Sequence, residues 1–415
     1  MLSKFKAKNG VQQKTKYPEL TPLWIGMFCD VLGFYIIIPF LPTFIEVFNT
    51  TPLVIGFLLA TNAVFTLVSA PIWGRISDKI GRKPVLIMSQ AGTFTAFLML
   101  AFSDTLELLF LARIVDGLFG GNFPMVKAII SDKVPPKDRG VQMTNVGVVF
   151  VLAGLVGPGL GGLLSVMRIL GPQYPVATAG LGASLLSLST IFITFFFIKE
   201  SWPKSRREHY EKQIQVKIKF RKNKDATYLM TLYAFHTLSF MMYITTVTLV
   251  LGVVLGLNAL EIGLVLTFTG IARAIVRFTI FKPTLRLLGP ERMTKLGLGI
   301  LFITFFLTAF VRDVLQFLIL MLFVSYGVAC CRGLLISKIT QTVKPNEMGK
   351  INGYTTTIDS LAQIAGPITG AFILTLYDPS YLGITLGLTA VVAFIMFFKK
   401  IVPLHLKKEM EYEQV

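Results

Sequence analysis

Charge is scarce in this chain. Of its 415 residues only 15% are Asp, Glu, Lys or Arg, against 53% hydrophobic, and the mean hydropathy is +0.69. A soluble domain ordinarily carries about 25% charged residues, so a soluble globular protein is excluded and a polytopic membrane protein is implied. Acid is scarcer than base, with 22 Asp and Glu against 40 Lys and Arg, a net charge of +18. In a soluble protein that excess would suggest nucleic acid; here its placement suggests membrane topology, and no nucleic-acid partner is expected. The three cysteines, Cys29, Cys330 and Cys331, sit in apolar runs without metal-ligand or paired external spacing. That excludes a disulfide framework and a zinc site, and no metal is expected. Nucleophile elbow, phosphate loop and metal-binding histidine cluster are all missing, so neither an enzyme nor a cofactor is expected. The first twenty residues are polar, with Lys4, Lys6, Lys8, Lys14 and Lys16, and show no cleavable signal peptide.

Apolar length is what the chain has in abundance. A membrane-spanning helix needs about 20 apolar residues. Spans are predicted near 22–45, 53–73, 85–103, 107–131, 141–165, 175–198, 227–251, 260–281, 293–311, 315–340, 351–376 and 382–398. The expected fold is an all-α membrane protein of about twelve transmembrane helices in two pseudo-symmetric six-helix bundles. The expected division is a tail at 1–20, a bundle at 21–198, a basic linker at 199–225, a second bundle at 226–400 and a tail at 401–415. With these spans, basic residues gather on one side: the N-terminal tail, 74–83, Lys133, Lys137 and Arg139, the linker, Lys282, Arg286, Arg292 and Lys295, Lys344 and Lys350, and Lys399 to Lys408. Arg168 and Arg312 fall on the other, with Glu46, Asp104, Glu107, Glu261 and Asp378. The positive-inside rule then puts both termini in the cytoplasm, with the chain in the cell (plasma or inner) membrane and the lipid bilayer as its surroundings. Trp24, Trp73 and Trp202 fall at the expected cytoplasmic helix ends, where indoles anchor in the headgroup layer.

The two halves repeat. Gly157-Pro158-Gly159-Leu160-Gly161 in the fifth span is echoed by Gly366-Pro367-Ile368-Thr369-Gly370 in the eleventh, an offset of 209 (366 − 157), and Pro136 to Gly140 keeps that offset with Pro345 to Gly349. Internal repetition of this kind marks transporter folds. Between the second and third spans lies Gly74-Arg75-Ile76-Ser77-Asp78-Lys79-Ile80-Gly81-Arg82-Lys83, a basic, glycine-bracketed loop. Its spacing resembles the G-x-[LI]-[AS]-D-[RK]-x-G-R-[RK] signature of the major facilitator superfamily of secondary transporters. Arg113-Ile114-Val115-Asp116-Gly117 resembles that family's R-x-x-Q-G element, with Asp116 in place of Gln. Gly154, Gly157, Pro158, Gly161 and Gly162 match the helix-five motif associated with antiporters. Asp30-Val31-Leu32-Gly33 with Pro39-Phe40-Leu41-Pro42 resembles the first helix of drug:proton antiporters of the tetracycline-efflux type, and Glu200-Ser201 resembles those exporters as well. In the second half the loop signature decays to 282–289, with Arg286 where the first has Asp78.

The resemblance implies alternating-access transport of a small molecule, driven by a proton gradient. It implies a cytoplasmic gate of Gly74, Asp78, Gly81, Arg82 and Asp132, docking on the start of the eleventh helix. Asp78 is expected to cap a helix start and pair with Arg82, while Gly74 and Gly81 allow close approach and turning. Charges within spans cost several kcal/mol unless paired, hydrated or neutralised. On the fourth span Arg113, Asp116, Gly120, Pro124 and Lys127 share one helical face, expected to line the cavity. Asp30 and Asp116 are the expected proton carriers, with Arg113 tuning Asp116; Asp30 held permanently by Lys127 is the alternative. Arg273, Arg332 and Asp359 lie near mid-membrane and complete the expected substrate cavity of Asp30, Asp116, Lys127, Arg273, Arg332 and Asp359. Asp359 can serve only one of the two arginines. Efflux of a hydrophobic or cationic compound and transport of an organic anion remain open. A non-transporting sensor or scaffold, whose mark would be an added soluble domain or a long tail, is the reading from another class. A monomer is expected.

Overall fold

The computed structural model describes residues 17–167, 171, 174, 176–205, 223–343, 347–399 and 401. Residues 1–16 and 402–415 of the two tails, most of the basic linker, and Arg168, Lys344 and Pro345 lie outside the described residues. Among the described residues every element is helical. Ten apolar stretches have the length and hydropathy of membrane spans. One of them, Ala259–Phe310, is two spans divided at Gly289, where φ is 74°, and the shorter apolar helix Ser380–Met396 completes twelve. They are α1 (Pro18–Val47), α2 (Pro52–Ile80), α3 (Arg82–Ala101), α4 (Leu106–Lys133), α5 (Pro136–Val166), α6 (Ala177–Phe197), α7 (Lys224–Val254), α8 (259–288), α9 (290–310), α10 (Val314–Thr340), α11 (Met348–Leu376) and α12 (Ser380–Met396). An even number of crossings puts Tyr17 and Ile401 on one face, called here the terminal face.

Helix ends follow local chemistry. Thr105, Asn223, Asn258 and Asp313 cap α4, α7, α8 and α10 by accepting from backbone N–H groups of the first turn, and Asn258 with Glu261 forms a full capping box. Only Gly81 separates α2 from α3, at φ 110°, a conformation that side chains resist. The expected loop at 74–83 is therefore mostly helix, the last turns of α2 and the start of α3. Asp78 accordingly stands inside the last turn of α2 and caps no helix start. Gly289 turns α8 into α9 in the same way, at an offset of 208 (289 − 81).

The fourth span was expected to be continuous, but its helices Leu106–Leu118 and Asn122–Lys133 are joined by a turn at 119–121. The break is repaired by side chains. Trp73 Nε1 donates to the Leu118 carbonyl at 2.7 Å, its ring lies 5.7 Å from that of Phe119, and Gly121 N donates to Ser89 Oγ at 2.8 Å. Trp73, half-buried near the terminal end of α2, thus also braces this break.

In lipid, helices gain little by hiding apolar surface, so close backbone approach decides which pairs meet. α1 packs on α5 and α6, α3 on α4 and α6, and α2 on α4; α7 packs on α11 and α12, α9 on α10 and α12, and α8 on α10. Each pair recurs six helices later, which makes two like bundles. They meet along two seams, α5 with α8 and α2 with α11. At the first, Gly263 lies against the Pro158 carbonyl and Gly162; at the second, Gly56 lies against the Pro367 carbonyl and Ala371. The other face of α5 holds α1, with Gly154 and Gly157 against Tyr35 and Gly161 against the Ile36 carbonyl. α11 holds α7 alike, with Gly366 against Met241 and Met242 and Gly370 against Thr246. The repeat in the sequence is thus a repeat of contacts.

Both seams occupy the halves of the helices away from the terminal face. Leu53 N donates there to Thr375 Oγ1 at 2.9 Å, and Gly252 of α7 meets Pro42 of α1. Toward the terminal face the bundles enclose a cleft, on which Phe123, Tyr354 and a 47% exposed Arg332 side chain open.

Candidate functional site

Two carboxylates are embedded in the first bundle. Asp30, from the middle of α1, accepts from Thr190 Oγ1 of α6 at 3.0 Å and from Asn122 Nδ2 of α4 at 3.2 Å, and Gln90 of α3 also hydrogen-bonds it. Lys127 does not pair with it, contrary to the alternative raised above. At 1.5 Å per residue Lys127 lies about 9 Å from the terminal end of α4, whereas Asn122, about 17 Å from it, is level with Asp30. Asp116 accepts from Asn62 Nδ2 of α2 at 2.8 Å, lies 3.4 Å from Arg113 Nη1, and is also bonded by Thr93. Asn122 reaches Thr93 Oγ1 at 3.4 Å, which links the two carboxylates through α3 and α4. Arg113 is buried, and Gly117 and Gly120 press on Asn62, Phe65 and Thr66 of α2. The expected cavity-lining face of the fourth span is therefore turned into its own bundle over this stretch. Arg113 pairs with Asp116, and Asp30 has no ion pair among the described residues.

The cleft has the opposite balance. Arg332 Nη2 of α10 meets Asp359 Oδ2 of α11 at 2.7 Å, and Tyr233 of α7 donates to Asp359 Oδ1 at 2.7 Å. His236 is buried beside Tyr233. Lys127 Nζ stands 4.4 Å over the Phe123 ring and within electrostatic range of Arg332 and Asp359 across the cleft. Arg273 of α8 has no ion pair among the described residues and lies within electrostatic range of Tyr243. Asp359 thus serves Arg332 and leaves Arg273 without a carboxylate. Lys338 is held by Glu291 at 3.3 Å and Arg277 lies over the Phe281 ring, so neither charge faces the cleft unpartnered.

On the terminal face the residues expected as a gate do converge. Arg82 Nη1 meets Asp78 Oδ1 at 2.7 Å, and Arg82 Nε meets Asp132 Oδ2 of α4 at 3.2 Å. Three residues beyond α6, not among those expected in the gate, close the cluster. Glu200 accepts from the backbone N–H groups of Arg82 (2.9 Å) and Lys83 (3.1 Å), capping α3. Ser201 Oγ donates to Asp132 at 3.0 Å. Trp202 donates to the Asp78 carbonyl at 3.1 Å and lies under the Arg82 guanidinium at 5.2 Å. These bonds tie the cluster into α4 and the end of α6; the expected docking on the start of α11 is not among them. Gly81 supplies the turn, whereas Gly74 faces open space and needs no missing side chain.

The neutral partners Asn62, Gln90, Asn122 and Thr190 are not among the residues expected from the sequence. Their signal was available as isolated polar residues inside apolar spans, each of which must find a partner away from lipid.

The family model of the Major Facilitator Superfamily matches residues 23–367 and again 229–411. The tetracycline resistance protein, class H, of Pasteurella multocida is 26% identical over 367 residues, 85% of this chain and 88% of that protein. The multidrug resistance protein MdtG of Proteus mirabilis is 26% identical over 369 residues, 86% of this chain and 89% of that one. Among solved structures, the human organic anion transporter MFSD10 superposes with a TM-score of 0.69 at 20% identity, over 92% of this chain and 99% of its own. A bacterial homologue of ferroportin in an inward-facing state gives 0.70 at 18% identity, over 92% and 98%. These two likenesses concern the fold.

Proposed function

The chain belongs to the major facilitator superfamily of membrane transporters, and from that premise we propose a proton-coupled exporter of small hydrophobic or cationic compounds, working by alternating access. The observation that carries the reading is the inequality of the two carboxylates: Arg113 pairs with Asp116, whereas Asp30 is held by the neutral donors Thr190 and Asn122 and has no cation among the described residues, so a bound proton would neutralise it. The relatedness to tetracycline and multidrug resistance proteins supports efflux. One proton moved down 100 mV releases about 2.3 kcal/mol, enough to drive about a fiftyfold gradient of a neutral cargo. In this reading the terminal face is cytoplasmic, the chain acts as a monomer in the cell membrane, the Arg82 cluster steadies the cytoplasmic gate, and the helix-five glycines form the pivot.

A second reading has its own observation. Lys127 and Arg332 face Asp359 alone, so the cleft carries excess positive charge that would suit a cargo with an acidic group. The test is transport in proteoliposomes under an imposed pH gradient, with ethidium, a neutral dye and salicylate as cargo probes. Proton release coupled to ethidium supports the first reading, and coupling to salicylate the second. If no probe and no proton moves against its gradient, both are wrong.

A further inference from the structure

In the first bundle, the buried polar atoms without a hydrogen-bond partner among the described residues are Gln90 Oε1, Asn122 Oδ1, Thr194 Oγ1, and Nε and Nη2 of Arg113. All belong to the surroundings of one feature. Gln90 and Asn122 bond Asp30, Arg113 bonds Asp116, and Thr194 stands one turn along α6 from Thr190, which also bonds Asp30. Buried polar groups seldom go unpaired, and internal water is the usual partner where protein supplies none.

The depths of these groups put them in a line. At 1.5 Å per residue, Thr194 lies about 5 Å from the terminal end of α6, Asp30 about 18 Å into α1, Asp116 about 15 Å from the opposite end of α4, and Arg113 about 10 Å from it. Every partner of the two carboxylates comes from α2, α3, α4 or α6 of the same bundle, and the titratable neighbours are Cys29 on α1 and Arg113 on α4. The cleft residues Lys127, Arg332 and Asp359 are no part of this column.

We propose that the column holds a chain of internal waters that carries the coupling proton through the first bundle, so that proton and cargo cross the membrane by separate routes. The proposal rests on the proton-coupled reading above. A proton from the far side adds to the Asp116 carboxylate. It passes through water held between Thr93, Asn122 and Gln90 to the Asp30 carboxylate, and leaves past Thr190 and Thr194 to the terminal face. Each hop breaks one O–H bond and forms another, so no co-reactant is needed. Asn122 and Thr194 are positioning residues for the water, and neither needs to touch cargo.

The test uses the full-length protein in vesicles. Infrared difference spectroscopy after a pH jump reads the carboxylic C=O band that Asp30→Asn removes, and entrapped pyranine reads proton flux. Thr194→Val is expected to slow both at least tenfold, Thr194→Ser to restore them, and Asn122→Leu to slow them like Thr194→Val. Thr248→Val, which removes an unpaired buried hydroxyl of α7 in the second bundle, should change neither. Wild-type rates in Thr194→Val and Asn122→Leu, or an equal slowing in Thr248→Val, would overturn the separate route while leaving proton coupling intact. A wild-type protein that shows no such band and no proton flux would overturn the proton-coupled reading and the column with it.

Discussion

Gly263 of α8 and Gly162 of α5 touch backbone to backbone. A Cβ on Gly263 would stand 2.9 Å from the Gly162 Cα, and one on Gly162 would stand 3.0 Å from the Leu260 carbonyl oxygen. At the matching seam a Cβ on Gly56 would stand 2.7 Å from both the Ala371 Cβ and the Pro367 carbonyl oxygen. Backbone on both sides leaves nothing flexible to give way. Gly263→Leu and Gly56→Leu are each expected to hold the bundles apart on the face away from the termini and to stop transport while both bundles stay folded. A cysteine engineered at the far end of α7 should then react with an impermeant maleimide at least tenfold faster. Normal transport with the cysteine still protected would show that the seam need not close.

The Arg82 cluster separates a buried bond from an exposed one. Asp132 is 11% exposed and Asp78 46%, although both pair with Arg82. Asp132→Asn should cost about 1.5–3 kcal/mol, as for a lost hydrogen bond to a charged group, and Asp78→Asn less than about 1 kcal/mol. Denaturation of the purified protein in detergent measures both, and the reverse order would mean that burial does not set their strength.

The carboxylate pair gives a similar contrast. Asp116→Asn leaves Arg113 buried with no carboxylate partner and should cost about 3–5 kcal/mol, whereas Asp30→Asn exchanges one partner of neutral donors for another and should cost far less. Both variants are expected to lose uphill, proton-driven transport and to keep downhill counterflow, because an amide mimics only the protonated acid. Concentrative transport surviving in both would move the coupling site elsewhere, with Asp359 the next candidate.

For the cleft, Arg332→Gln should weaken binding of salicylate by about 1.5–3 kcal/mol and leave salicylamide nearly unchanged if an acidic group docks there. Isothermal titration with this matched pair decides it. Equal losses for both compounds would favour a hydrophobic or cationic cargo.

The two-fold plan was legible because the glycine-proline pattern that permits close packing recurs at a fixed offset, and hydropathy counts spans well. Azimuth was not legible. Residue spacing gives depth but says nothing of rotation about each helix, and Asp30 turns to Thr190 and Asn122 while Lys127 turns to the cleft. The break at 119–121 was missed because Gly120 and Gly121 read equally well as small residues at a helix contact. The motif marked Asp78, Gly81 and Arg82, but Glu200 and Trp202 join them through space from more than a hundred residues away, beyond the reach of local spacing.

The seams also have a bearing on friction. Side chains that interdigitate work like cogs, and sliding one helix past another then requires many rotamers to reset in turn. Where α5 runs along α8 the opposing surfaces at Gly162 and Gly263 are bare backbone, with no cogs to disengage. Such a bearing offers little resistance to rocking and no intermediate detents. If the chain works by alternating access as proposed, its stopping points lie elsewhere, at the charged bonds of the Arg82 cluster and at the cleft.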